Sequence, residues 1–303
     1  MKKIAILGGT GFVGSYIVDE LLNVGYLVKM INRSKSNNHR NGIEEVIMDL
    51  KSDLLYKELE DCDCLIFNIG IIREFPKLEI FFKELHQDLA IHTIKMCQKA
   101  GIRKFILMSA NGVDRCLTNY EKTKFEAEKY LINTNLDWTI FRPSLIFGNP
   151  KGKIEFCTQV KNDIIKTIFP LPIFFDGINI FNAGKFRMSP IHAKNVAQFF
   201  TLSIDKKDSS QKIYKLGGSQ SFSWKELIMT ISKSCNKNKI SLPVPIVIIK
   251  FIASIFSRFS WFPITKDQLV MLSAGNTYDS TKYFVEFGIK EINFNSKNLD
   301  YLL

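Results

Sequence analysis

Short apolar runs alternate with longer stretches of helical spacing along the first half of the chain. Residues 3–7, 26–31, 45–48, 64–68, 104–109 and 138–142 are runs dominated by Ile, Val, Leu, Met and Phe. Such runs suit strands covered on both faces. Between them, residues 12–23, 79–100 and 120–133 repeat apolar side chains three and four apart, as a helix with one core face requires. Ser52 is placed to cap a short helix, and Gly101 to stop the long one. Strands alternating with helices predict an α/β fold with a doubly wound parallel sheet.

The regularity fades beyond residue 149. Residues 149–190 hold Pro150, Pro170, Pro172, Gly177 and Gly184 and read as loop-rich. A helix resumes at 192–203 and a short strand at 212–216, and Ser223 is an N-cap candidate for a helix over 224–234. The expected organisation is a larger unit over residues 1–149 and a smaller α/β substrate or partner region over 150–303. Helix 192–203 is expected to pack back on the first. A composition of 46% hydrophobic residues with 25 Phe excludes a disordered chain, and 17 Gly with 9 Pro excludes a collagen-like one. A formal net charge of +11 favours an anionic partner.

The apolar run after Met1-Lys2-Lys3 is too short for a secretory leader, so a cytoplasmic protein is expected. Cys62, Cys64, Cys97, Cys116, Cys157 and Cys235 form no CxxC pair and read as reduced structural residues. His39, His86, His92 and His192 lack metal-ligand spacing, so no metal is expected.

The sharpest motif is Gly8-Gly9-Thr10-Gly11-Phe12-Val13-Gly14, between the first strand and the first helix. In that context it is a dinucleotide-binding fingerprint, and the expected fold is Rossmann-like. Gly8 permits the tight turn, Gly11 a close approach to pyrophosphate, and Gly14 close packing of helix and strand. The helix N-terminus offers free N–H groups to phosphate. Gly8, Thr10, Gly11, Phe12 and Val13 are the expected loop contacts. After the second strand, Arg33 and Ser34 stand where an acid would bind a ribose 2′-hydroxyl. An Arg there suits a 2′-phosphate, so NADP(H) is expected in preference to NAD(H). Asp49 and Leu50 are placed for adenine, Asn68 and Gly70 for the ribose, and Pro143 for the nicotinamide.

These residues resemble the short-chain dehydrogenase/reductase superfamily in its extended or atypical branch. Thr10-Gly11-Phe12-Val13-Gly14 matches its TGxxGxxG loop, and Tyr120-Glu121-Lys122-Thr123-Lys124 its YxxxK. Arg142-Pro143-Ser144 and Pro190-Ile191-His192-Ala193-Lys194-Asn195-Val196-Ala197 look like later segments of that branch. The likeness is closest to the subgroup of the NAD(P)H-binding accessory subunit of respiratory complex I. Leu242-Pro243-Val244-Pro245 and Thr265-Lys266-Asp267-Gln268-Leu269 look like its tail. The resemblance implies Ser109, Tyr120 and Lys124 as catalytic residues. Tyr120 and Lys124, four apart on a helix, share a face. The ammonium is expected to lower the phenol's pKa, making Tyr120 an acid or base, with Ser109 holding the reacting oxygen. Ser109 and Tyr120 stand eleven apart, short of the family's usual spacing, and its supporting Asn is not identified. One expectation is an oxidoreductase or epimerase acting on an unknown small molecule. The other is a non-catalytic NADPH-binding accessory or assembly protein of a respiratory or quinone-biosynthesis system.

No Asp or Glu lies between Glu226 and Asp267. Over residues 246–262, Lys250 and Arg258 form a strip on an otherwise apolar helix. That pattern suits a membrane surface as well as a packed helix, so a peripheral position at the inner face of a membrane is a further expectation. Nucleic acid is not an expected partner, since the basic residues come with no stacking platform.

Overall fold

The computed structural model describes residues 1–36, 40–256 and 264–303. The chain begins β1 (Lys3–Leu7), α1 (Phe12–Val24), β2 (Leu27–Asn32), β3 (Ile43–Ile47), α2 (Leu55–Leu59) and β4 (Cys64–Phe67). It continues α3 (Leu89–Ala100), β5 (Lys104–Met108), α4 (Asn119–Ile132) and β6 (Asp137–Pro143). The apolar runs are strands because they have no wet face: every residue of β4 and β5 is buried. Gly14, Ile17, Val18 and Leu21 form the buried stripe of α1, which Gly25 ends in the left-handed region at φ 92°.

Among the described residues the central sheet has seven strands, in the order Lys212–Leu216, β6, β5, β4, β1, β2, β3. The pairs β1–β2, β2–β3, β1–β4, β4–β5 and β5–β6 are all parallel. The order reverses between β1 and β4, where Leu7 is in register with Phe67. Doubly wound sheets bind ligands in the crevice at this reversal, beyond the carboxyl ends of the strands.

The long helix expected over 79–100 is shorter. Phe75 and Ile80 exchange both backbone hydrogen bonds, Glu79 lies at φ 54°, and a Glu74 carboxylate oxygen accepts from the Phe82 N–H at 2.9 Å. That tight turn takes residues 75–80 out of the helix. A wide π-type turn over Lys83–Asp88 then leads into α3.

The chain divides into two compact units, one of Met1–Pro143 with Ala193–Lys215, the other of Ser144–His192 with Leu216–Leu303. The boundary expected after residue 149 thus moves to the end of β6. Residues 193–215 return to the first unit because the sheet takes its outer strand from them. There Phe199, Phe200 and Tyr214 pack on Phe141 with ring centroids 6.3, 4.6 and 5.4 Å away.

The second unit has its own core around Trp224, Leu227, Ile228 and Ile231. Ser223 caps Trp224–Ser234 in a capping box with Glu226. Residues 149–190 contain more regular structure than expected, including a helix at Phe156–Val160 and a strand at Leu171–Phe175. That strand pairs in parallel with Ser241–Pro245, so Pro172 is accommodated at a short two-stranded edge. The helix Ile246–Phe256 follows. Ile246 and Ala253 are buried, whereas Val247, Ile248, Phe251 and Ile255 are exposed. Arg258, and the rest of the helix expected to 262, lie outside the described residues. No helix among the described residues is long and apolar enough to cross a membrane.

Candidate functional site

The glycine loop is built from backbone contacts that exclude side chains. Gly8 has φ +87°, and a Cβ on it would stand 2.7 Å from the Asn68 carbonyl oxygen across the crevice. A Cβ on Gly14 would stand 2.0 Å from the Gly8 carbonyl oxygen. Gly14 therefore abuts the loop itself as well as lying on the buried face of α1. The Gly8 oxygen accepts from Gly11 N–H and from Asn68 Nδ2, both at 3.2 Å, which ties the loop to the end of β4. Gly11 is the N-cap of α1 and carries no side-chain cap, and no acidic residue sits in the first turn. A Cβ on Gly11 would meet only the Gly8 oxygen at 3.4 Å, an ordinary contact. The free N–H groups and the positive end of the helix are thus left to a ligand anion. Thr10, Phe12 and Val13 are half-buried around this entrance.

At the end of β2, Glu45 organises the turn by accepting from Asn32 Nδ2 and Ser36 N–H, both at 2.8 Å. Arg33 and Ser34 stay exposed on that turn, and no ion pair among the described residues engages Arg33. Asp49 is exposed and accepts from the Lys51 N–H at 3.0 Å. Leu50 is 4% exposed and belongs to the core with Leu55 and Leu59. Its side chain is committed to packing, so a ligand contact at Leu50 falls to its backbone.

Ser109 follows β5, with its N–H donating to the Phe141 carbonyl at 2.8 Å. Its Oγ is buried without a hydrogen-bond partner among the described residues, which is uncommon for a native hydroxyl. The carbonyl of Met108, one residue before it, accepts from Lys124 Nζ at 3.2 Å, and that nitrogen lies 5.7 Å from the centre of the Tyr120 ring. Pro143 is buried, and its carbonyl accepts from Asn111 N–H at 2.8 Å.

Burial pushes the Tyr120 phenol upward, and Glu121 adds to the shift. This reverses the expected lowering, because removing the phenolate from water outweighs an ammonium beside the ring. Burial lowers Lys124 from 10.5 to about 8, against the pull of Glu128. A folded pKa below the unfolded value means that the folded chain binds fewer protons between pH 8 and 10.5. The stability of wild type relative to Lys124→Met is therefore expected to rise across that window, by about 3 kcal/mol at most. Denaturant titrations of both proteins at several pH values measure it. The difference is the informative quantity, because burial also raises the Cys64 and Cys97 thiols, which act in the opposite direction.

Two features of this site carry no motif. Glu121 and Glu128, which resemble a solvated helix face in sequence, are 1% and 0% exposed. Glu128 accepts from Arg142 Nε at 2.9 Å and from an Arg142 terminal nitrogen at 2.5 Å, and Asp114 takes the other terminal nitrogen at 2.8 Å. Their spacing with Lys124, Ala127 and Leu131, three or four apart, was the available signal. The other feature is His86, 2% exposed and packed against Tyr120.

A family model described as NAD(P)H-binding matches residues 8–166. The sterol-4-alpha-carboxylate 3-dehydrogenase (decarboxylating) of Dictyostelium discoideum is 24% identical over 337 residues, spanning 97% of this chain and 98% of that protein. The mitochondrial NADH-ubiquinone oxidoreductase 40 kDa subunit of Neurospora crassa is 22% identical over 307 residues, spanning 98% and 78%. Among solved structures, the UDP-glucose 4-epimerase of Thermus thermophilus in complex with NAD superposes with a TM-score of 0.73 at 14% identity, covering 99% of this chain and 97% of that one. That likeness is one of fold.

Proposed function

The chain belongs to the NAD(P)H-binding family, and from that premise we propose that it is an oxidoreductase of the short-chain dehydrogenase/reductase type, using NADP(H) in preference to NAD(H). The observation that carries the catalytic part is the buried, unpartnered Ser109 Oγ, one residue after Met108, whose carbonyl accepts from Lys124 Nζ. A substrate oxygen that reached this buried hydroxyl would supply the hydrogen bond it lacks. The bound dinucleotide supplies hydride chemistry at its nicotinamide. Ser109 holds the oxygen of a carbonyl substrate. Tyr120, kept protonated by its raised pKa, gives that oxygen a proton as carbon receives the hydride, and Lys124 stabilises the phenolate left behind. The 2′-phosphate preference rests on Arg33, exposed at the end of β2 with Ser34 beside it.

Calorimetric titration with NADPH and NADH tests the reading. Arg33→Ala is expected to weaken NADPH by about tenfold and NADH by less than about twofold. Equal losses for both nucleotides would remove the NADP(H) preference. Tyr120→Phe and Ser109→Ala are expected to keep nucleotide affinity while abolishing NADPH oxidation by any carbonyl compound the wild type reduces. Undiminished turnover in Tyr120→Phe would remove its catalytic role.

A second reading, a non-catalytic NADPH-binding accessory protein at a membrane-associated respiratory or quinone-biosynthesis assembly, is favoured by one observation. Val247, Ile248, Phe251 and Ile255 are exposed on a single helix, an apolar face of the kind that lies in a lipid interface. The wild type is then expected to co-sediment with vesicles containing anionic lipid and Phe251→Asp to stay in the supernatant. A wild type that remains soluble excludes the membrane part.

A further inference from the structure

One buried side chain joins the loop after β4 to α4. We propose that His86 is a positioning residue of the dinucleotide cleft. It clamps the backbone at Ile71 to Thr123, and so holds the Gly70 backbone beside Lys124. The proposal deepens the dinucleotide-dependent reading above and rests on it.

The bonding pattern assigns the ring a single state. Ile71 N–H donates to His86 Nε2 at 3.0 Å. A ring nitrogen that accepts carries no proton, so in the neutral imidazole the proton is on Nδ1. Nδ1 lies 3.3 Å from Thr123 Oγ1. That hydroxyl donates its own proton back to α4, to the Asn119 carbonyl at 2.9 Å with the Tyr120 carbonyl at 3.2 Å. Its lone pair is left to accept from Nδ1–H. One neutral tautomer therefore satisfies the loop and the helix together. Burial and the Lys124 charge both disfavour a second proton, pushing the imidazole well below its ordinary pKa. Ring packing fixes the plane: Phe82 stacks on His86 at 5.3 Å, and Tyr120 meets it edge-on at 5.3 Å. The side chain comes from the π-type turn Lys83–Asp88, a rare backbone geometry found often at functional sites.

The clamp acts on the ligand crevice. A Cβ on Gly70 would stand 3.3 Å from Lys124 Nζ and 3.6 Å from His86 Nε2. Loop backbone, imidazole and ammonium thus share one small volume at the carboxyl end of β4, next to the strand-order reversal. A ribose arriving there meets a loop that is already ordered, and preordering removes part of the entropy cost of binding.

NADPH titrations of the full-length wild type, His86→Gln, His86→Leu and Thr123→Val test this, together with long-range ¹⁵N–¹H spectra of the imidazole. A glutamine amide can accept from Ile71 and donate towards Thr123, whereas leucine does neither. His86→Leu is expected to bind NADPH about tenfold more weakly or worse, and His86→Gln within about threefold of wild type. The wild-type spectrum is expected to show Nδ1 protonated and Nε2 bare, and Thr123→Val to keep that tautomer but shift the Nδ1–H resonance to that of an unbonded N–H and lose about threefold in affinity. A protonated Nε2 in the wild type, or a folded His86→Leu with wild-type affinity, overturns the proposal. Should His86→Leu fail to fold, Thr123→Val with an unchanged Nδ1–H resonance and unchanged affinity overturns it. A wild type that binds neither nucleotide removes the dinucleotide reading instead, and the tautomer still decides whether the clamp exists.

Discussion

Gly14→Ala is expected to abolish measurable NADPH binding, a loss of at least about a hundredfold, and to destabilise the fold by about 3 kcal/mol. The added methyl would stand 2.0 Å from the Gly8 carbonyl oxygen and 2.9 Å from the Gly9 Cα, all of it backbone. Neither contact can be relieved by a side-chain rotation, so the loop or α1 must move. The Gly8 oxygen is also the acceptor for Gly11 N–H and Asn68 Nδ2. Moving it breaks the bonds that shape the phosphate entrance and tie it to β4. Gly11→Ala is the control, since its methyl meets protein only at 3.4 Å. It should leave stability nearly unchanged and weaken nucleotide binding alone. Thermal unfolding with and without NADPH separates the two outcomes. A Gly14→Ala protein with wild-type midpoint and affinity would mean that the loop does not pack as described.

Glu128→Ala is expected to cost about 3–5 kcal/mol, roughly 10 °C in melting temperature, by leaving the Arg142 guanidinium buried without its main partner. Arg142 is 5% exposed and Glu128 is fully buried. The outer carboxylate, Asp114, is 39% exposed on its side chain and also lies 3.5 Å from Lys215, so it compensates only in part. The paired change Glu128→Leu with Arg142→Met removes both charges and should recover most of the loss, because no buried charge is then stranded. Because the pair joins α4 to β6, loosening it should also weaken NADPH binding through Lys124 and Tyr120. Denaturant unfolding of the single and double variants measures the coupling. Additive losses would show that the pair contributes independently rather than as one buried unit.

The elements of the first unit and the phosphate loop were legible in the sequence because both are written locally. Periodicity in a dozen residues separates a doubly covered strand such as Lys104–Met108 from a helix such as Phe12–Val24. Gly8 and Gly14 state a backbone requirement that no other residue type meets, and Gly11 leaves open space at the helix N-terminus. Ser223 likewise announces a helix start at Trp224. The alternation of these elements was enough for a doubly wound sheet, and the YxxxK spacing was enough to put Tyr120 and Lys124 on one helix face.

Tertiary structure decided what depends on partners distant in sequence. Glu128 and a solvated glutamate look alike until Arg142, fourteen residues on, is packed against it. His86 gave no spacing signal, because its partners Ile71 and Thr123 lie on two other segments that only the fold brings together. The direction of the Tyr120 shift could not be read from its ammonium neighbour, since desolvation, the larger effect, follows from burial. The helix 192–203 was expected to return to the first unit; that residues 204–215 go with it was decided by the sheet, which takes its outer strand from Lys212–Leu216. Local pattern thus determined which elements form and where the glycine turn lies. Long-range packing determined which charges are buried and which hydroxyl is left without a partner among the described residues.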